Sequence, residues 1–118
     1  MISEVTVRTA DFEKLESRLK ALKEDWSEVV AHPDYEMYPA FQVLEKQVER
    51  VIMACGYTIS ESRSDTRSTL GNEDTALEIF FCIPGVVVII SYTFETVVFS
   101  NGDKDTEMRL KDIKAVSV

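Results

Sequence analysis

The side chains best suited to nucleophilic or general-base catalysis are scarce in this sequence: one histidine, His32, and two cysteines, Cys55 and Cys82. A Ser-His-acid triad needs an imidazole held by a carboxylate, and the chain contains no Gly-x-Ser-x-Gly elbow. His32 directly precedes Pro33 in a connector, where a capping or solvated histidine is the simpler interpretation. The cysteines lie in apolar stretches without C-x-x-C spacing, which favours buried, reduced thiols. We therefore expect a protein that is not an enzyme.

Acidic side chains alternate in the segment Asp103, Asp105 and Glu107, which Arg109 continues. Alternation places them on one face of a strand, and Glu95 falls beside them on the preceding strand. Several oxygens on one face can hold a cation, but the spacing does not match an EF-hand, so we expect no metal. A solvated sheet face is the commonest explanation for such a pattern. The functional alternative is an acidic patch, with Glu95, Asp105 and Glu107 binding a basic protein.

Three arginines suggest a different chemistry. Arg63 and Arg67 lie in a serine-rich segment, and Arg109 lies on the predicted outer sheet face. Arginines flanked by hydroxyls can hold a phosphate bidentately. Because no glycine-rich phosphate loop accompanies them, binding of a small anionic or nucleotide-like ligand between protomers is only the alternative function.

Length and charge limit the possible classes of protein. The 118 residues predict one domain, and the net charge of -8 argues against binding nucleic acid. The segment Met1–Thr9 lacks the basic start and apolar core of a signal peptide. The apolar run Ile79–Ile90 is too short to span a bilayer and is broken by Pro-Gly. We expect a cytoplasmic protein with no membrane contact and no cofactor.

The N-terminal half predicts an antiparallel helical hairpin over about 10–56. A short strand is predicted for Met1–Arg8, with Thr9 capping the first helix. The apolar residues of that helix recur every three or four positions up to Val29, before His32-Pro33 ends it. The second helix begins at Pro39, carries Phe41, Leu44, Val48, Val51 and Cys55 on its apolar seam, and ends at Gly56. Between the helices, the aromatic residues Trp26, Tyr35 and Tyr38 indicate either an interface anchor or packing on the core.

Residues 57–118 predict an antiparallel sheet of four or five strands, giving an α+β fold. Its centre is a hairpin, Leu77–Phe99, with Pro84-Gly85 in a type II turn. Pairing across this turn gives four apolar pairs on one face: Ile83 with Val86, Phe81 with Val88, Ile79 with Ile90, and Leu77 with Tyr92.

A second hairpin closes at Ser100-Asn101-Gly102. A three-residue loop with Gly102 in the left-handed region places Met108 opposite Phe94 and Leu110 opposite Tyr92. A two-residue turn would instead bury Asp105, Glu107 and Arg109, which is costly.

The hydrophobic pattern predicts the secondary structure at the two ends of this region less clearly. Tyr57 to about Arg63 reads as a strand, and the polar segment that follows, up to residue 74, reads either as a long loop or as the tip of a hairpin with extended strands. The chain is predicted to bend near Lys111-Asp112 and to finish as a last strand.

One face of this sheet has no predicted cover. A single helical pair covers one face, which leaves the apolar residues Phe80, Cys82, Val87 and Ile89 on the other. An exposed patch of this size usually marks an interface, so we expect a homo-oligomer, most simply a two-fold dimer. Phe80, Val87 and Ile89 join the acidic residues as candidate partner-binding residues. The sequence therefore favours a small acidic inhibitor or immunity-type protein that occupies a basic protein surface.

Overall fold

A computed structural model describes residues 2–31, 39–68 and 75–117. Two helices pack on one face of an antiparallel sheet made of four long strands and one two-residue strand, in the order β1-β5-β4-β3-β2. The predicted α+β class is confirmed. The elements are α1 (Ile2–Asp25), β1 (Val30–Ala31), α2 (Pro39–Ala54), β2 (Glu61–Ser68), β3 (Thr75–Ile83), β4 (Val86–Val98) and β5 (Lys104–Ser117).

Helix α1 differs from the prediction at both ends. It begins at Ile2, so the short N-terminal strand was wrong. The sequence offers a reason, because Ile2, Val5 and Thr9 continue the three-four spacing of the later apolar residues. The helix also ends early, at Asp25.

The early end of α1 creates an extra strand. After the last helical bond, from the Trp26 N–H to the Leu22 carbonyl (3.0 Å), the Val29 N–H bonds to the Trp26 carbonyl (3.2 Å) and closes a turn. Val30–Ala31 then pairs with Arg109 and Met108 of β5. Pairing of β1 with β5 gives hydrogen-bond partners to backbone groups that would otherwise need water. This gain explains why the helix stops before Pro33.

Helix α2 begins at Pro39 and ends beside Gly56, as predicted. The Tyr57 N–H bonds to the Ile52 carbonyl (3.2 Å) and the Gly56 N–H to the Met53 carbonyl (3.0 Å), the pair of bonds that defines a Schellman cap. The apolar seam is confirmed with one correction. Ile52 is fully buried, whereas Val51 is only half-buried.

The central hairpin has the predicted register at every position. Ile83 pairs with Val86, and the apolar pairs continue to Leu77 with Tyr92. Gly85 has a φ of 77°, the positive value that the turn requires. Val88, Ile90 and Tyr92 are completely buried beneath the helices.

The second hairpin also follows the bulged prediction. Gly102 has a φ of 88°, the Gly102 N–H bonds to the Phe99 carbonyl (2.9 Å), and the Phe99 N–H bonds to the Asp103 carbonyl (2.8 Å). Met108 consequently lies opposite Phe94, and Leu110 lies opposite Tyr92.

A bulge at Lys111 replaces the predicted bend and separate last strand. Tyr92 pairs with Leu110 and Ser91 with Asp112, so Lys111 is an extra residue within the single strand β5. Leu110 and Ile113 are three positions apart, and the extra residue keeps both on the helix-covered face. Asp112, next to the bulge, forms an ion pair with Lys23 of α1 at 3.1 Å.

The polar segment that follows residue 60 forms a strand. β2 runs from Glu61 and pairs with β3 up to Ser68 opposite Thr75, so the predicted start at Tyr57 was wrong. The hairpin interpretation is therefore confirmed over 61–68, and residues 69–74 lie outside the described part. Backbone pairing with β3 does not depend on apolar side chains, which explains why hydropathy missed this strand.

An aromatic row joins the two helices to the sheet. The ring centres of Trp26 and Phe41 are 6.0 Å apart, and those of Phe41 and Tyr92 are 4.9 Å apart. The Trp26 indole N–H donates to the Gln47 side chain at 3.0 Å. Of the two interpretations of Trp26, the structure supports packing on the protein's own core. His32, Tyr35 and Tyr38 lie outside the described residues.

A carboxylate lies at the end of this aromatic row. The Tyr92 hydroxyl donates to Glu45 at 3.5 Å. Burial raises the pKa of the Glu45 carboxyl above its usual 4.5, and although the Tyr92 hydrogen bond opposes this shift, the nearby Glu49 reinforces it. Burial next to this carboxylate also raises the pKa of the Tyr92 phenol.

Deleting Lys111 tests the bulge. Because Leu110 and Asp112 already pair with adjacent residues of β4, the deletion leaves every later side chain on its present face. We expect a loss of about 1 kcal/mol or less in the free energy of unfolding, measured by urea denaturation. Deleting Arg109 is the control, because it displaces either Met108 or Leu110 from the core and is expected to cost about 2–5 kcal/mol. Equal losses for the two deletions would contradict the assignment of Lys111 as the extra residue.

The pH dependence of folding tests the environment of Glu45. A raised pKa means that the folded state holds the proton more tightly, so the unfolding free energy falls as pH rises above 4.5. We expect Glu45→Gln to melt a few degrees higher than the wild type at neutral pH, with the difference closing below pH 4.5. Glu13→Gln, at an exposed position, is the control and is expected to leave the melting temperature unchanged. Destabilisation by Glu45→Gln at neutral pH would show that the ionised carboxylate stabilises the fold.

Candidate functional site

The sheet face opposite the helices, called the open face below, is the most extensive candidate surface. Among the described residues, the side chains of the buried core cluster come from the helical segments and from the helix-covered face of the strands. None of the strand residues in this cluster lies on the open face. Strand parity assigns the following residues to the open face: Glu61, Arg63, Glu78, Phe80, Cys82, Val87, Ile89, Ser91, Thr93, Glu95, Val97, Asp105, Glu107, Arg109, Lys114 and Val116.

One half of the open face, next to the Pro84 turn, is apolar. This apolar half consists of Phe80, Cys82, Val87, Ile89 and Val116. Cys82, Val87 and Val116 form one row across β3, β4 and β5, and Phe80 and Ile89 form the next. Four of the five residues are half-buried by their neighbours, and Val116 is 41% exposed. The prediction that these residues share a face without helical cover is thus supported within the described residues.

Charged residues border the apolar half on both sides, on β2 and on β5. Glu61 pairs with Cys82 and Arg63 with Phe80 on the β2 side, whereas Lys114 pairs with Ile89 on the β5 side. The Arg63 guanidinium carbon lies 5.3 Å from the centre of the Phe80 ring, close enough for a cation–π contact. This contact holds the arginine against the apolar half.

The other half of the open face, formed by β4 and β5, is acidic. This acidic half consists of Glu95, Val97, Asp105, Glu107 and Arg109. Glu95 pairs with Glu107, and Val97 with Asp105, so the register brings the three predicted acidic residues together. Like charges directly opposite each other on a sheet repel. Arg109 offsets the repulsion, with guanidinium nitrogens 3.5 Å from Glu107 and 3.9 Å from Glu95.

The three arginines predicted for anion binding are placed differently. Arg63 is on β2 and Arg109 on β5, so they are about 14 Å apart across the strands and about 13 Å apart along them. Arg109 contacts two carboxylates and Arg63 contacts Phe80. The backbone of Arg67 pairs with Ala76, and its side chain lies outside the described part. The structure therefore does not bring Arg63 and Arg109 into one site.

Other kinds of site find little support in the described part of the chain. Both cysteines are free, Cys55 buried and Cys82 half-buried. Over the described residues, no group of three or more His, Cys, Asp or Glu side chains is arranged to hold a metal ion. No helix in those ranges has the length and apolar character needed to cross a membrane.

Sequence reasoning did not anticipate a cleft of about 750 Å³ at the end of the molecule near the Pro84 turn. Its lining includes Phe12, Glu13 and Glu16 of α1, Cys55 at the end of α2, and Val86. These residues belong to three segments that are distant in the sequence, and only tertiary packing brings the segments together. No sequence signal could have found it.

Comparison with protein-family models, curated proteins and solved structures returned no match for this chain. The functional argument therefore depends on the geometry and charge of the open face.

Neutralising Arg109 tests the electrostatic arrangement of the acidic half. Arg109→Gln leaves Glu95 and Glu107 repelling each other, so we expect a loss of about 0.5–1 kcal/mol in the free energy of unfolding at low salt. The loss should shrink as NaCl is added, because exposed charges are screened.

Two further variants give this measurement its control. Adding Glu95→Gln to Arg109→Gln removes the repulsion and should restore the stability. Lys20→Gln, on the exposed side of α1, changes the net charge equally and should have no such effect. A loss that is independent of salt and of Glu95 would contradict an electrostatic role for Arg109.

Proposed function

We propose that this chain is a non-enzymatic protein-interaction module, of the small acidic inhibitor or immunity type, whose acidic half binds a basic surface on another protein. The observation that carries the proposal is the pairing of Glu95 with Glu107, with Asp105 one row further along β5. A fold gains nothing from facing two carboxylates across a ladder. Arg109 supplies one positive charge for the three carboxylates, and a basic partner neutralises the negative charge that remains.

The rigidity of the acidic half favours binding. All three acidic residues lie on strands, and the loop that joins those strands is held by its own hydrogen bonds. The Asn101 side chain donates to the Asp103 carboxylate at 2.9 Å and accepts from the Asp103 N–H at 3.0 Å. A surface that is already ordered loses little conformational entropy on association.

Charge supports the choice of partner. The net charge of -8 attracts basic proteins over long distances and accelerates their encounter. The same charge disfavours nucleic acid, whose phosphates would be repelled. The two free cysteines fit a reducing compartment, so we propose that the protein acts in the cytoplasm.

The alternative, capture of a small anionic ligand, has less support. It needs arginines that converge on one point, whereas Arg63 on β2 and Arg109 on β5 are separated by two strands and each already contacts another side chain. An enzymatic role would need a base, a nucleophile or a metal set, and among the described residues no group of side chains is arranged to hold a metal ion.

Site-specific photo-crosslinking tests the proposed function. In one variant, a photo-reactive residue replaces Val97, which lies opposite Asp105 and two residues from Glu95 on the acidic half. In the control variant, it replaces the exposed Arg18 of α1. Crosslinking in cells of the native host, followed by mass spectrometry, is expected to yield an adduct with a basic protein at position 97 only. An acidic partner, or equal adducts at both positions, would contradict the proposal.

The purified partner then allows a quantitative test. The double variant Glu95→Gln/Glu107→Gln is expected to weaken binding about tenfold or more, equivalent to about 1.4 kcal/mol, by isothermal titration calorimetry. The matched double variant Glu24→Gln/Glu28→Gln changes the net charge by the same amount at exposed positions outside the open face, and should change the affinity little. Equal weakening would mean that net charge alone, and not the acidic half, determines binding.

A further inference from the structure

The apolar half carries a charge pattern that is complementary to itself. On β2, Glu61 and Arg63 lie one row apart, beside the Cys82 row and the Phe80 row respectively. A rotation that exchanges these two rows brings Glu61 and Arg63 of one copy against Arg63 and Glu61 of another, whereas Lys114 meets Val116 at the rim of the contact. This arrangement identifies what can cover the apolar half.

We propose that the apolar half binds a second copy of this chain face to face. The two copies are related by a two-fold axis that lies between the two sheets, perpendicular to the strands. The axis passes between the Cys82 row and the Phe80 row. Rotation about this axis keeps each strand over its counterpart and exchanges the two rows. Glu61 of each copy then faces Arg63 of the other. Val87 similarly faces Ile89 of the other copy, which buries the apolar centre. Aligned sheets of this kind pack about 10 Å apart.

The charges select this axis over its alternatives. An axis through the Cys82 row would place Glu61 against Glu61, and an axis through the Phe80 row would place Arg63 against Arg63. An axis parallel to the strands through the centre of the patch would place β2 over β5, so that Arg63 of each copy faces Lys114 of the other. The proposed axis instead sends the acidic halves to opposite ends of the dimer, where they remain accessible.

The area of the contact sets its strength. The patch is four strands wide and two rows long, or about 19 Å by 13 Å, so two copies bury roughly 500 Å² of flat surface. This value is below the standard size of stable interfaces, about 1,600 Å² in total. We therefore infer a weak, reversible dimer with a dissociation constant in the micromolar range. The inference does not depend on the proposed function, because it uses the other half of the open face.

Sedimentation velocity across the micromolar range tests the dimer. The wild type is expected to shift from monomer to dimer as its concentration rises. Val87→Glu should raise the dissociation constant about tenfold or more. Val97→Glu, which makes the same substitution at a half-buried position on the same face and strand, should leave it unchanged. A wild type that stays monomeric at high micromolar concentration, or a dimer that Val87→Glu leaves intact, would overturn the proposal.

A charge-exchange experiment tests the axis. Glu61→Arg and Arg63→Glu each create two like-charge contacts in their own homodimer, so each variant alone should sediment as a monomer at concentrations where the wild type dimerises. A 1:1 mixture of the two variants restores both opposite-charge contacts and should regain the dimer. Circular dichroism checks that both variants fold. Homodimers as tight as the wild type, or a mixture no tighter than its components, would overturn the proposed arrangement.

Discussion

The two-sided apolar character of β4 is the constraint on which the rest of this structure depends. Its first five residues, Val86 to Ile90, are all apolar, so both faces of the sheet at this point need to be removed from water. The helices satisfy one face, where Val88 and Ile90 are completely buried. They leave Val87 and Ile89 only half-buried on the other. Among the described residues, the fold therefore supplies helical cover for only one face of this two-sided strand.

The alternation of side chains between the two faces of β4 also explains which parts of the fold could be predicted from the sequence. Shifting a strand by one residue exchanges its faces, so the apolar pairs from Ile83–Val86 to Leu77–Tyr92 allow a single register. The position of Gly102 followed from the same argument, because the alternative turn would have buried charge. By contrast, β1 is only two residues long and β2 contains no apolar residue. They form because the edges of β5 and β3 offer backbone hydrogen bonds, a tertiary effect that hydropathy does not record.

The site could be predicted to a similar extent and for the same reason. The acidic half follows from alternation plus a correct hairpin register, so Glu95, Asp105 and Glu107 were found together. The arginine cluster required Arg63 and Arg109 to be neighbours, and this depends on strand order. Because β3 and β4 lie between β2 and β5, the two arginines are distant although they share a face. The cleft near Cys55 depends on three segments that are remote in the sequence, and local patterns contain no information about it.

The bulge at Lys111 connects the two halves of the open face. β5 must place Met108 and Leu110 under the helices at one end and Ile113 at the other, and an unbroken alternation cannot satisfy all three positions. The extra residue resolves this conflict without changing the face of Glu107 or Arg109. It also allows Lys114 and Val116 to share the open face with the acidic residues. One irregular position in β5 is therefore what makes the apolar and acidic halves a single continuous surface along the same strands.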